Sequence, residues 1–446
     1  IDQKWRWVYK GVKRANKAIQ VMANVTDMAE AVRKSRTGEL KFLRALFYFE
    51  GIKVFGPFIP WVDEAITENN PLIHNDKDIY SNVLADLDDA ITNLPNTQDT
   101  PGRVNVWAAK ALKAKILMQK GDMAAAKPIL KDVIENGKTS NGLAYGLEDD
   151  LDANFSSYTD NGKESIFAVQ FSVDTNNNGN VGMSLCYPHG GSGNPGGCCG
   201  FYQPSNELAN SFKVDANGLP LLDNSYRNGD PVSYRNPSTE ASAPLALNNN
   251  QIPVDPRLDF AIGRFGIPYK DWGTPKNGWV RDAANGGIYL PKKHVYSKAE
   301  EEAGLASGGF SDGWAPGSAM NLQYLSLRDC ILLYAECLAN DGELSQAMNQ
   351  VNKIRTRAGL EPNIIKINGV PAANYKIATY PTTHAAFTDK ATCIKAVRME
   401  RKLELAMEGQ RWFDLSRWGG EYMAGAIKDY VDFEKKYLAK FATASY

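Results

Sequence analysis

"AKILMQKGDMAAAKPILKDVI", residues 114–134, and "AECLANDGELSQAMNQVNKI", residues 335–354, are one pattern written twice. At an offset of 221 residues Ala114 aligns with Ala335, Leu117 with Leu338 and Gly121 with Gly342. Ala126 then meets Ala347, Leu130 meets Val351 and Val133 meets Ile354. The order (small, apolar, Gly at a turn, small, two apolar) is that of a tetratricopeptide helix pair. Small residues let two antiparallel helices approach closely, and Gly tolerates the dihedrals of the turn. The two stretches predict two helical hairpins, and with them a helical scaffold.

The flanking sequence extends this reading in both directions. Helical spacing predicts helices over 4–24, 38–54, 77–93, 104–120 and 122–136, and again over 322–340, 343–357, 389–408, 411–417 and 421–440. In "DIYSNVLADLDDAITNLP", Tyr80, Val83, Leu84, Leu87 and Ile91 share one face, and Pro95 follows the end. "KFLRALFYFEGIKVFG" is stopped by Gly56-Pro57. Between the two helical blocks the character changes. "ESIFAVQFSV", 164–173, reads as a strand, with Phe167, Val169 and Phe171 on one face. Residues 174–320 then hold 21 of the 38 Gly and 13 of the 22 Pro, together with Trp272, Trp279, Trp314 and seven Tyr. Loops of this length are functional or disordered, and so many rings argue against disorder. The expected fold is mostly α: a tetratricopeptide-like scaffold with long loop-rich insertions and a few short strands. One composite domain is expected, with an N-terminal helical region over residues 1–163, a loop-rich insertion over 164–320 and a C-terminal helical region over 321–446.

Composition sets limits. With 446 residues, 43% apolar, the chain can bury a large core without disulfide staples. A net charge of −1 from 50 basic and 51 acidic residues gives no field for nucleic acid or an anionic membrane. No run of eighteen apolar residues is present to span a bilayer as a helix. The chain starts at Ile1, already in helical pattern, so an N-terminal segment is expected to be missing. Cys330, Cys337 and Cys393 read as small buried hydrophobes; Cys186, Cys198 and Cys199 lie in a Gly-rich loop without metal spacing. A loop disulfide from Cys186 to Cys198 or Cys199 is one option in an exported protein. His74, His189, His294 and His384 show no ligand spacing, no EF-hand or nucleophile motif is visible, and no metal or cofactor is expected.

"IKAVRMERKLELAMEGQRWFDLSRWG", 394–419, alternates charge at helical spacing: Arg398, Glu400, Arg401, Glu404, Glu408, Arg411, Asp414 and Arg417. Two carboxylates one turn apart could serve a glycosidase. Arginines at similar spacing would hold both ionised, whereas an acid catalyst needs a raised pKa. The segment therefore reads as a clamp of acid–arginine pairs with Trp412, Phe413 and Trp418 beside them, and no catalytic residue is expected.

The same stretch, "ERKLELAMEGQRWFDLSRWG", resembles the C-terminal signature of the SusD/RagB family of outer-membrane nutrient-binding lipoproteins. "LKFLRALFYFEGIKVFGPFIPWV", "GRVNVWAAKALKAKILMQKGD", "ESIFAVQF", "DPRLDFAIGRFG" and "LRDCILLYAECLANDGE" agree in the family's order, so the resemblance covers nearly the whole chain. It implies a surface protein on the extracellular face of the outer membrane. Such a protein captures an oligosaccharide or polysaccharide without hydrolysing it and feeds a SusC-like TonB-dependent transporter. The membrane tie would be an N-terminal lipid anchor not present in this sequence. Oligopeptide cargo on the same scaffold is the alternative, and a tetratricopeptide adaptor for a protein segment is a third reading.

The family fixes no ligand residues by motif, so the site is argued from chemistry. Sugars present apolar C–H faces and a rim of hydroxyls, which call for exposed rings and fork-like polar groups. "RFGIPYKDWGTPKNGWVRDAANGGIYLPKK" is the densest such cluster, with Tyr269, Trp272, Trp279 and Tyr289 among Asp271, Asn277, Arg281 and Asp282. The competing reading is that these rings seal the loops onto the scaffold. Trp61, ending "FGPFIPW", is either a ligand contact or a plug between helices, and Trp314 with Asp312 is similar. "YPHGGSGNPGGCCGFYQ" lacks the Lys and helix context of a phosphate loop and reads as a mobile loop, with Tyr202 able to stack.

Overall fold

The computed structural model describes residues 1–66, 72–173, 179–229, 231–232, 252–309 and 315–443. About 49% is helical and 8% strand, in agreement with a mostly α fold. The chain forms two compact units: Ile1–Gly146 with Lys163–Phe167 and Tyr324–Cys337, and Leu147–Gly162 with Ala168–Gln323 and Leu338–Tyr446. These boundaries follow packing, and differ from the divisions at 163 and 320 that composition suggests.

In the first unit, α1 (Asp2–Ala23), α2 (Glu30–Phe55), α3 (Tyr80–Asn93), α4 (Val106–Lys120) and α5 (Met123–Asn136) each pack on the next. Phe42, Ala45, Phe49, Val83, Leu87 and Leu112 form the buried seam. Gly11 is required where α1 meets the Phe47 ring, because a Cβ there would come within 2.5 Å of it. A buried cation crosses this seam. Arg44 donates from Nε and Nη2 to the two oxygens of Asp86, each at 2.7 Å, and from Nη1 to Asn16 Oδ1 at 2.8 Å.

Both copies of the repeat are two helices joined by a glycine turn. α4 and α5 are joined by Gly121, left-handed at φ 89, and Asp122 caps α5 by accepting from the Ala125 amide at 3.1 Å. The helices Leu327–Asn340 and Leu344–Ala358 turn at Gly342, φ 80. Ala114 and Ala126 of the first copy are wholly buried, as small residues at a close helix approach should be, and Ala335, Ala347, Val351 and Ile354 of the second are wholly buried too.

The strand expected over 164–173 is Ser165–Val169. Away from its longer helices the second unit is built from short helices, bends and small ladders, such as Ile262–Gly263 paired antiparallel with Leu290–Pro291. Helix Lys390–Glu404 carries the first half of the charge-alternating stretch and helix Arg411–Arg417 most of the second. Glu400 and Glu404 are buried, and Arg257 Nη1 donates to both, at 2.6 and 3.0 Å. Arg355 reaches Glu400 at 3.1 Å, Arg357 pairs with Glu404, and Asp255 grips Arg257 from the other side at 2.7 Å. Burial pushes the Asp255 carboxyl up, but the Arg257 and Arg355 charges outweigh it and hold it below its ordinary value. Arg401 and Arg417 both bind Asp414, and Lys293 binds Glu408 at 2.8 Å. The clamp reading therefore holds for these groups. Arg398 and Arg411 are the exceptions: neither has a carboxylate partner among the described residues.

Candidate ligand-binding site

A long insertion needs a core of its own, and the aromatic cluster supplies it. The Gly-rich segment lies against the Trp279 turn, with the His189 amide donating to Trp279 O at 2.8 Å and the Gly190 amide to Gly278 O at 3.2 Å. Beneath these glycine contacts Tyr187, Tyr269, Trp279, Leu290, Val295 and Tyr296 form one buried cluster. Tyr269 and Trp279 meet edge to face at 5.6 Å, and the Tyr269 hydroxyl donates to Pro291 O. Tyr289 is also fully buried, with its hydroxyl on Val232 O.

This corrects the expectation that Trp279, Tyr269 and Tyr289 are open stacking platforms. Tyr269 and Trp279 cover one another within one cluster, and Tyr289 is buried in a second, with Phe212, Val232 and Leu258. Trp272 is half-buried, its Nε1 donating to Tyr296 O at 3.0 Å. Asp271 is engaged in structure: it accepts from the amides of Lys298 and Ala299, at 2.6 and 2.9 Å, at the start of helix Lys298–Glu302. Asn277 opens the short turn Asn277–Trp279. In the first unit, Trp61 stacks on Tyr48 at 4.5 Å, lies under Arg44, and donates to Asp63 at 3.2 Å. These are the contacts of a plug. Trp314 and Asp312 lie outside the described residues.

Arg281 is the expected residue that does face solvent in a shaped site. Its guanidinium lies 4.0 Å from the centre of the Phe201 ring, and Nη1 donates to Cys199 O at 2.9 Å. Phe201 is 55% exposed and Tyr202 40%. A pocket of about 300 Å³ opens beside them, lined among others by Gln203, Asp282, Asn285 and Lys440. Ring, guanidinium, amides and carboxylate thus face one small volume. The Gly-rich loop is tied by a disulfide between the adjacent Cys198 and Cys199, while Cys186 is a buried free thiol; the Cys186 linkage considered from sequence is not made. Burial alone pushes the Cys186 thiol up to about 12.

A larger groove of about 910 Å³ adjoins the pocket, and Gln203, Ser205 and Tyr430 line both. Its walls come from the 202–208 and 222–227 segments, helix Lys390–Glu404, helix Arg411–Arg417 and helix Gly420–Glu434. Glu207 sits in one wall. Burial raises its pKa, but Lys402 at 2.8 Å, with help from Tyr226 and Arg227, brings it down to about 2. Burial also holds Lys402 below the ordinary lysine range in spite of that carboxylate. Among the described residues no group of three metal-binding side chains stands together, and no helix is long and apolar enough to cross a membrane.

Sequence reasoning missed Phe201, Gln203, Asn285 and the groove beside them. Trp density in this chain marks the buried cluster. The one available signal was Phe201-Tyr202 closing a Gly-rich run, where a ring has little chain around it to hide behind.

Comparison with known proteins places the fold. The sequence pattern of the SusD family matches residues 163–445, and a pattern described as starch-binding, associating with the outer membrane, matches residues 1–118. A SusD-like protein of Bacteroides ovatus is 23% identical over 439 residues, which is 93% of this chain and 65% of that protein. The chain thus spans about two thirds of that curated relative's length. Among solved structures, a laminarin-binding SusD-like protein superposes with a TM-score of 0.60 at 21% identity, covering 96% of this chain and 80% of its own. A structure with xylogluco-oligosaccharide superposes with a TM-score of 0.62 at 20% identity, covering 97% and 74%. At these identities the likeness is one of fold.

Proposed function

Because the chain belongs to the SusD family, we propose that it captures an oligosaccharide at the Phe201 surface without cleaving it. In this reading it works at the outer face of the outer membrane and passes the sugar to a TonB-dependent transporter. The observation that carries the reading is the Phe201 ring itself. It is more than half exposed, backed on one side by the Arg281 guanidinium, and set beside a pocket of amide and carboxylate side chains. A pyranose can lay its C–H face on such a ring while its hydroxyls reach Gln203, Asp282 and Asn285. A laminarin-binding fold relative, and another solved with xylogluco-oligosaccharide, support a sugar over a peptide. Trp272, half open, is a second contact in this proposal. A glycosidase pair is not favoured, because Glu400 and Glu404 are buried and each is neutralised by arginine.

The test is titration calorimetry with laminari- and xylogluco-oligosaccharides and a peptide digest as comparator. Phe201→Ala should weaken sugar binding by about tenfold, the equivalent of ~1.4 kcal/mol, and leave the melting temperature within a few degrees. Trp272→Ala should weaken it less. Saturable binding of peptides alone, or release of new reducing ends from the sugar, would overturn the reading. Full affinity in Phe201→Ala would move the site elsewhere.

A further inference from the structure

The groove next to the Phe201 pocket holds two arginines that have no acid to bind among the described residues. Arg398 lies in the corner of two rings that meet edge to face, with Cζ 4.4 Å from the centre of Trp418 and 4.3 Å from that of Tyr422. Arg411 lies 5.2 Å from the same Trp418 ring. Arg398 Nε and Arg411 Nη1 are shielded from solvent and have no hydrogen-bond acceptor among the described residues. A buried donor left unmatched is costly, and a guanidinium edge matches an oxyanion best.

The other charges of the groove do not neutralise them. Glu207 is held by Lys402 and Arg227, Asp414 by Arg401 and Arg417, and Asp429 by Arg227. Asp223 accepts from Ser225. Among the described lining residues Glu421 is the one carboxylate left, against Lys395, Arg398 and Arg411. Trp412, 58% exposed, and Tyr422, 39% exposed, offer ring faces in the same groove. The described walls are helices and loops, with no strand edge for a peptide backbone to join. The groove also runs into the Phe201 pocket through Gln203, Ser205 and Tyr430.

We infer that the cargo is an acidic glycan, whose carboxylate or sulfate ester docks on the Arg398–Arg411 edge while its neighbouring rings extend towards Phe201. This rests on the glycan-capture reading and gives it a substrate class. Carboxylate and sulfate are shared oxyanion chemistry, and the two are told apart by the probes used.

The experiment is calorimetry on the whole chain with tri-galacturonate against its fully methyl-esterified form, and a sulfated galactan trisaccharide against its desulfated form. At least one acidic member should bind about tenfold or more tightly than its neutral twin. That preference should vanish in Arg398→Gln and in Arg411→Gln and shrink several-fold between 50 and 500 mM NaCl. Melting temperatures accompany each variant; should Arg411→Gln unfold, Arg398→Gln decides. Equal affinity within both pairs overturns the inference, as does a preference that survives Arg398→Gln. Arg398-dependent binding of hexaglutamate without any acidic sugar preference overturns it too, in favour of an acidic protein segment. Neutral laminari-oligosaccharide, bound in Arg398→Gln and lost in Phe201→Ala, keeps the capture reading standing when the acidic preference fails. If no sugar binds in any form, both fall.

Discussion

Arginine appears in this chain in two conditions, and the difference sets what each substitution does. Arg257 is buried among Asp255, Glu400 and Glu404, and its partners lie up to 147 residues away in sequence. Arg257→Gln would leave three buried carboxylates short of a cation. Breaking such a network costs about 3–5 kcal/mol, so a urea melt of this variant should shift to a markedly lower midpoint. Arg398→Gln removes a cation without a carboxylate partner among the described residues and should move that midpoint less, because the loss is confined to ring contacts of about 1–2 kcal/mol. Similar shifts in the two variants would contradict the distinction. The sequence shows the alternation of charge in 398–417, and from it a clamp is legible. Which arginines belong to the clamp is not, because Asp255, Arg257, Lys293, Arg355 and Arg357 arrive from distant segments.

Helical hairpins are legible in sequence because everything that makes them is local: small residues at the crossing, a glycine at the turn, a cap after it. Gly121, at φ 89, shows the consequence. Gly121→Ala forces a Cβ into the left-handed region and should cost about 1 kcal/mol, although nothing lies within 4 Å of the added atom. An unchanged thermal midpoint would mean that the turn relaxes to another conformation. Loops are the opposite case. "YKDWGTPKNGW" reads the same whether its rings look out or in, and the answer depends on the Gly-rich segment about 80–90 residues earlier that lies over Trp279. Trp279→Ala should therefore empty a core site and destabilise by about 3–5 kcal/mol. Loss of ligand with an unaltered melt would restore Trp279 to the binding surface.

Across the whole molecule the charges nearly cancel in number, 50 basic and 51 acidic, so the pH response comes from a few buried carboxylates. One of these stands in each unit. Glu207 is brought to about 2 against burial by Lys402, and Glu50 to about 2 against burial by Lys53, Lys4 and the Tyr324 hydroxyl. For both, the folded pKa lies below the ordinary glutamate value of 4.5. Each therefore contributes stability that is fully present above pH 4.5 and is lost as the pH falls towards 2. The shift corresponds to about 3 kcal/mol per group. Burial lifts the Asp160 carboxyl to about 7, which adds stability as the pH falls from 7, so urea midpoints should rise somewhat down to about pH 5 and then fall steeply between pH 4.5 and 2. Glu207→Gln and Glu50→Gln should start lower at pH 7, because each leaves a buried lysine without its partner, and should then lose less on acidification. A parallel acid limb in wild type and both variants would show that the pH response is carried by other carboxylates. Because each unit holds one of the two groups, either substitution alone should flatten the limb incompletely, and a double variant that flattens it by the sum would show that the two groups act independently.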